Sequence, residues 1–146
     1  MLSALSDRPN VHQLERFLAR RLATRGEEIE FVVLFGSMAR GNWSWESDYD
    51  LLIGLRGADG KRLTDRIGEL EALAEGDLQL FPYDRPAWER MFARFHLLLL
   101  EALDHGIVLF DRGAFAAMRA TFRDRLARGV VERLDGGWRV AEPTGR

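Results

Sequence analysis

Asp48 and Asp50 stand two residues apart and lead straight into the apolar run Leu51-Leu52-Ile53. Residues i and i+2 of a strand face the same side, roughly 6.5–7 Å apart along the chain. At an effective dielectric of about 20, two negative charges at that distance repel by about 2–3 kcal/mol. Solvent or a bound cation removes that cost. Such a pair at a strand's entrance suits Mg²⁺, which takes one or two carboxylates and completes its shell with water and substrate phosphates. Read alone, Ser47 and Asp48 equally suit a turn cap.

A second feature lies ten residues upstream. Residues 28–35, EIEFVVLF, read as a strand, and Gly36-Ser37 follow at once, with Met38-Ala39-Arg40 able to begin a helix. A strand, a Gly-Ser turn and a helix start offer backbone N–H groups to phosphate oxygens. The Ser37 hydroxyl and the Arg40 guanidinium are suited to the same ligand. On its own, Gly-Ser is an ordinary turn pair. Placed ten residues before Asp-x-Asp, between two apolar strands, it is a specific signal.

Gly36-Ser37, ten residues, then Asp48-Tyr49-Asp50 resembles the signature of the DNA polymerase β-type nucleotidyltransferases. The likeness is to the small stand-alone members called minimal nucleotidyltransferases. The motif spans residues 36–50, and the order of elements extends the similarity to about residues 10–110. The resemblance implies an α+β fold and a Mg-dependent transfer of a nucleoside monophosphate from an NTP, ATP first, to a hydroxyl. It implies Asp48 and Asp50 as catalytic metal ligands, and Gly36, Ser37 and Arg40 as nucleotide-binding residues. It also implies an antitoxin role beside a HEPN-domain partner.

In that family a third carboxylate lies on a later strand, in an apolar setting that often runs into proline. Here the segment is Leu78-Gln79-Leu80-Phe81-Pro82, which puts Gln79 at the third position. An amide coordinates through its oxygen, but it takes no proton and carries no charge. Asp77 would share a strand face with Gln79 and is the substitute catalytic candidate; it equally suits a helix-to-strand turn. A non-catalytic protein that binds a nucleotide or a partner is therefore the alternative expectation.

The elements that must position these residues follow from periodicity. Apolar residues at Val11, Leu14, Phe17, Leu18 and Leu22 recur at helical spacing over 9–24, with Asn10 as N-cap. Strands are expected over 28–35, 49–55 and 77–83, and a helix over 63–74. A long helix opens at Pro86 and runs to His105, closed by Gly106. A short strand at 107–110, a helix at 113–128 and a hairpin about Asp135-Gly136-Gly137 complete the chain. The pattern is that of an α+β domain, a mixed β-sheet with helices packed on one face and further C-terminal helices. One domain over 1–146 is expected, its core at about 10–110 and a C-terminal helix and hairpin at 111–140. The final six residues are expected to be loose.

With 146 residues, 47% hydrophobic and 30% charged, the chain is long enough to bury a core. A net charge of −2 provides no general attraction to nucleic acid or acidic membranes. There is no cysteine, hence no disulfide or thiolate metal site. The N-terminal residues lack a secretion signal's basic and apolar blocks, and the Leu97-to-Leu100 run is too short to span a membrane. A cytoplasmic location is expected. Three scattered histidines, His12, His96 and His105, do not make a zinc site; His96 reads as a helix-face residue and His105 as a helix C-terminal one. Trp43 and Trp45 suit a base, a sheet edge or a partner. Phe92, Phe95, Leu99 and Leu103 suit core packing or a helix–helix contact, including one within a homo-oligomer. Arg112, Arg119, Arg123, Arg125 and Arg128 read as a solvated basic face.

Overall fold

Strand β1 (Ile29–Phe35) is buried at all seven positions. A run of Ile, Phe, Val and Leu with one glutamate is the composition of a strand covered on both faces. The computed structural model describes residues 5–57, 65, 68 and 76–141. In it β1 pairs antiparallel with β2 (Tyr49–Leu55) on one side and with β4 (Ile107–Asp111) on the other. Beyond β2 lies β3 (Leu78–Tyr83), parallel to it, so the mixed sheet runs β3-β2-β1-β4. This is the α+β class with a mixed sheet that the sequence pattern led one to expect.

Helical cover differs from the expectation of a single face. Side chains alternate along β1: Phe31, Val33 and Phe35 enter one core with Leu52, whereas Val32 and Leu34 enter a second core with Leu51 and Ile53. Helix α1 (Val11–Arg25) covers the second core with Leu14, Phe17 and Leu18. The first is covered by α3 (Arg85–Ala93), α4 (Leu97–His105) and α5 (Ala114–Ala127). A strand with no polar face must be covered twice, which is why the cover is two-sided.

The single helix expected over 86–105 is two helices, α3 and α4. At its C-terminus the amide of His96 donates to Met91 O at 2.9 Å and that of Phe95 to Phe92 O at 3.4 Å. These are the two bonds of a Schellman end, with Phe95 left-handed at φ 55 where glycine is usual. The Arg125 guanidinium lies over the rings of Phe92 and Phe95, at 4.7 and 5.0 Å. His96 then becomes the N-cap of α4, its Nδ1 accepting the Leu98 amide at 3.3 Å. It is thus a capping residue rather than one on a helix face.

Asn10 does stand at the N-cap position of α1, but in the left-handed region and without a side-chain cap. Its amide is used elsewhere, as described below. The helix expected over 63–74 falls largely outside the described residues, as do the last five residues. Strands β5 (Val131–Leu134) and β6 (Gly137–Val140) form the expected hairpin, turning at Asp135 and Gly136. Trp138 of that hairpin meets Phe122 edge-on at 5.8 Å. Among the described residues, no helix is long and apolar enough to cross a membrane.

Gly54 in β2 is a packing requirement. A Cβ there would lie 2.3 Å from the ring of Phe31, and that ring is already held edge-on by Trp88 at 5.3 Å. Gly54→Ala is expected to lower the stability by about 1–3 kcal/mol through overpacking. Urea unfolding measures it; an unchanged midpoint would show that the ring has room to move.

Candidate active site

At Gly36 the chain leaves β1 with φ 79 and ψ −161 and enters the one-turn helix α2 (Ser37–Arg40). The amides of Ala39 and Arg40 both donate to Gly36 O, at 3.1 and 3.0 Å. The amides of Ser37 and Met38 head the turn, where an α-helix offers no internal acceptor. Gly41, at φ 92, closes the turn by donating to Ser37 O at 2.9 Å. Arg8 fixes its far side, Nε donating to Met38 O at 3.0 Å.

The register of β1 on β2 sets Phe35 opposite Asp50. A Cβ at Gly36 would lie 2.5 Å from Asp50 Oδ2. The Gly-Ser turn and the acidic doublet are therefore neighbours, and glycine is required at position 36 both by its positive φ and by that contact. Asp48 is exposed and Asp50 half-buried. Burial, aided by the negative charge of Asp48, pushes the Asp50 carboxyl up to about 6, against the opposing pull of Arg40. Arg40 is itself exposed.

Across the parallel pair, Asp50 is registered with Gln79. Gln79 is exposed, so its amide lies at the open side of the same strand edge. The structure ties Asp77 elsewhere. Its carboxylate accepts from Asn10 Nδ2 at 2.9 Å, and its amide donates to Gln13 Oε1 at 3.2 Å. Its carbonyl accepts the Tyr49 amide at 2.7 Å. Asp77 thus joins the start of α1 to the sheet. Its charge acts on Tyr49, whose hydroxyl burial pushes up to about 12. Of the sequence-derived candidates, Gly36, Ser37, Arg40, Asp48, Asp50 and Gln79 come together, and Asp77 is directed toward α1.

One residue of the site carries no local signal in the sequence. His105, the last residue of α4, accepts the Gly36 amide on Nε2 at 2.9 Å. Burial and the charge of Arg40 hold its imidazole below the usual histidine range. Its Nδ1 lies 3.7 Å from a Glu101 oxygen and 3.9 Å from an Asp104 oxygen. These three side chains border a cavity of about 340 Å³ with Arg40, Arg133 and Trp138. Arg133 is paired with Asp104.

The tryptophans precede the doublet in the chain. Trp43 and Trp45 meet edge-on at 5.4 Å; Trp43 packs on the second core, and Trp45 is 76% exposed. Two arginines of the supposed basic face are structural. Arg119 donates to the carbonyls of Ala102, Leu103 and Gly106. Arg112 donates to those of Gly26 and Ile29.

A family model described as Polymerase beta, Nucleotidyltransferase matches residues 18–113. The chain belongs to this nucleotidyltransferase family. A search of curated proteins returned no match. A mutant of the toxin-antitoxin MntA-HpeT is 16% identical at a TM-score of 0.50, covering 78% of this chain and 86% of its own. It shares the nucleotidyltransferase fold seen here. A toxin-antitoxin with AMP-PNP is 14% identical at a TM-score of 0.49, with coverage of 82% and 88%. A Sulfolobus solfataricus protein classed as a nucleotidyltransferase is 20% identical at a TM-score of 0.47, with coverage of 70% and 86%.

The raised Asp50 has a consequence for stability. A carboxyl whose folded value lies above its ordinary 3.8 contributes stability that is full below pH 3.8 and lost as pH rises through about 6. In metal-free buffer, Asp50→Asn is expected to stabilise the nucleotidyltransferase domain well above pH 6 and to change little near pH 4. Urea unfolding at the two pH values measures this. A variant less stable than wild type at the higher pH would overturn the assignment.

Proposed function

We propose that the chain is a Mg²⁺-dependent nucleotidyltransferase that moves a nucleoside monophosphate from an NTP, ATP first, to a hydroxyl acceptor. The observation that carries this reading is the contact of Gly36 with Asp50, which joins a phosphate-suited turn to an acidic pair. The donor set fits the metal: Asp50 is the second residue of β2 and Asp48 stands just before that strand, and burial together with Asp48 opposes the ionisation of Asp50. A divalent cation relieves that opposition. When bound, Mg²⁺ supplies charge neutralisation and alignment of the triphosphate.

The remaining work falls to the chain. Ser37 offers its hydroxyl, and the amides heading α2 offer N–H groups, to the β- and γ-phosphates. Arg40 adds a positive charge at the exposed rim. Asp48 and Asp50 hold the cation, and Gln79 completes the edge as a neutral oxygen donor. The acceptor's proton has no carboxylate at position 79 to receive it, so a slow reaction follows. The acceptor fits a HEPN-domain partner, beside which the chain would act as a cytoplasmic antitoxin.

The exposed Gln79 in register with Asp50 favours a second reading, a protein that neutralises its partner by binding alone. Incubation with α-labelled ATP, Mg²⁺ and a HEPN-domain protein separates the two. The enzyme predicts label on the partner, lost in Asp48→Asn and Asp50→Asn. The binder predicts complexes that form equally with those variants and carry no label. Under the enzymatic reading, Gln79→Asp raises the transfer rate by about tenfold or more, because it restores a proton acceptor. A rate unchanged by Gln79→Asp would count against the role assigned to that position.

A further inference from the structure

We propose that His105 is a positioning residue: its neutral imidazole holds the Gly36 amide and so fixes the turn that presents Ser37 to the nucleotide. The proposal rests on the nucleotide-binding reading of that turn.

The bond is long-range. Gly36 N–H donates to His105 Nε2 at 2.9 Å across 69 residues of chain. Its origin is the sheet. The antiparallel register of β1 on β4 pairs Leu34 with Ile107, so continuing the ladder two residues sets Gly36 opposite His105. Here α4 has replaced the strand, and no backbone acceptor of β4 reaches this position. The imidazole stands in for the missing ladder carbonyl.

The acceptor is well held. The His105 side chain is 13% exposed. The carbonyls around the end of α4 are gathered by the Arg119 guanidinium at 2.7–3.0 Å. Gly106 bends the chain so tightly that a Cβ would lie 2.3 Å from Ala102 O.

The chemistry also selects the tautomer. Nε2 accepts only if it carries no proton, so in the neutral ring Nδ1 carries it. Nδ1 is buried and makes no hydrogen bond; its nearest carboxylate oxygens are those of Glu101 at 3.7 Å and Asp104 at 3.9 Å. Those two carboxylates favour the charged ring; burial, Arg40 and Arg119 disfavour it and set the balance toward neutrality. Gly36 in turn abuts Asp50. Movement of its amide would therefore displace the Ser37 turn relative to the acidic pair.

Two amide substitutions of nearly equal polarity test this on the full chain. The Gln side chain places its amide near the Nε2 position, whereas that of Asn ends near Nδ1, short of Gly36. His105→Gln is expected to keep the Mg·ATP affinity within about twofold of wild type, and His105→Asn to lose about five- to tenfold, the worth of one hydrogen bond. Titration calorimetry reads both. Without nucleotide, exchange of the Gly36 amide should quicken in His105→Asn and stay slow in His105→Gln. The ¹⁵N spectrum of the wild-type imidazole should show Nδ1 protonated. Asn binding as tightly as wild type, or Gln and Asn weakened alike, overturns the proposal. So does Gly36 exchange that ignores both changes. If the wild type binds no Mg·ATP while Gly36 exchange follows the Gln–Asn pattern, the turn-fixing role is supported and the nucleotide reading is the one that fails.

Discussion

The site depends on one close approach, that of Gly36 to the carboxylate of Asp50. No side chain intervenes, because a Cβ at position 36 would lie 2.5 Å from Asp50 Oδ2. A turn that offers N–H groups and a strand that offers negative charge are thereby brought within reach of one ligand. The approach is a product of register: with Phe35 opposite Asp50, the residue after β1 falls beside the carboxylate that opens β2. A one-residue slip would turn Asp50 to the other face of the sheet and place Tyr49 at the site.

Central placement of β1 makes the rest follow. Its C-terminal end is flanked by β2 on one side and by the junction of α4 and β4 on the other. The first neighbour contributes Asp48 and Asp50, and the second contributes His105. Strand β3, one step further out, brings Gln79 level with Asp50. Full burial of β1 and the two-sided helical cover keep these ends from shifting, since any slide of the strand would expose apolar surface to water. The half-buried Asp50 is thus held where its ionisation is opposed, an arrangement suited to receiving a cation.

Charges elsewhere are largely committed to structure. Arg119 and Arg112 gather backbone carbonyls at chain reversals. Arg125 covers two phenylalanine rings, and Arg21 meets Glu28 within the protein at 3.0 Å. Arg40 differs, being exposed beside the acidic pair and acting electrostatically on both Asp50 and His105.

The local order of the chain was legible without coordinates. Apolar residues at helical spacing marked α1, continuous apolar runs marked β1 and β2, and the Asp-Gly-Gly turn marked the hairpin. The motif of residues 36–50 marked the turn and the doublet, because glycine, serine and paired aspartates at that spacing have few other uses. The break between α3 and α4 was hidden: Phe95 takes a left-handed conformation that its type disfavours, and only the surrounding packing offsets the cost. The directions of Asp77 and His105 were hidden for a related reason. Alternation along β3 puts Asp77 on the face of Gln79, but Asp77 lies before the strand begins and is claimed by Asn10 and Gln13. His105 lies 69 residues from the amide it holds, and only the pairing of β1 with β4 brings them together. Sequence sets which elements form, since that depends on neighbours within a turn or two. Tertiary structure decides which distant side chain meets which backbone group, since that depends on strand register and on how each helix ends.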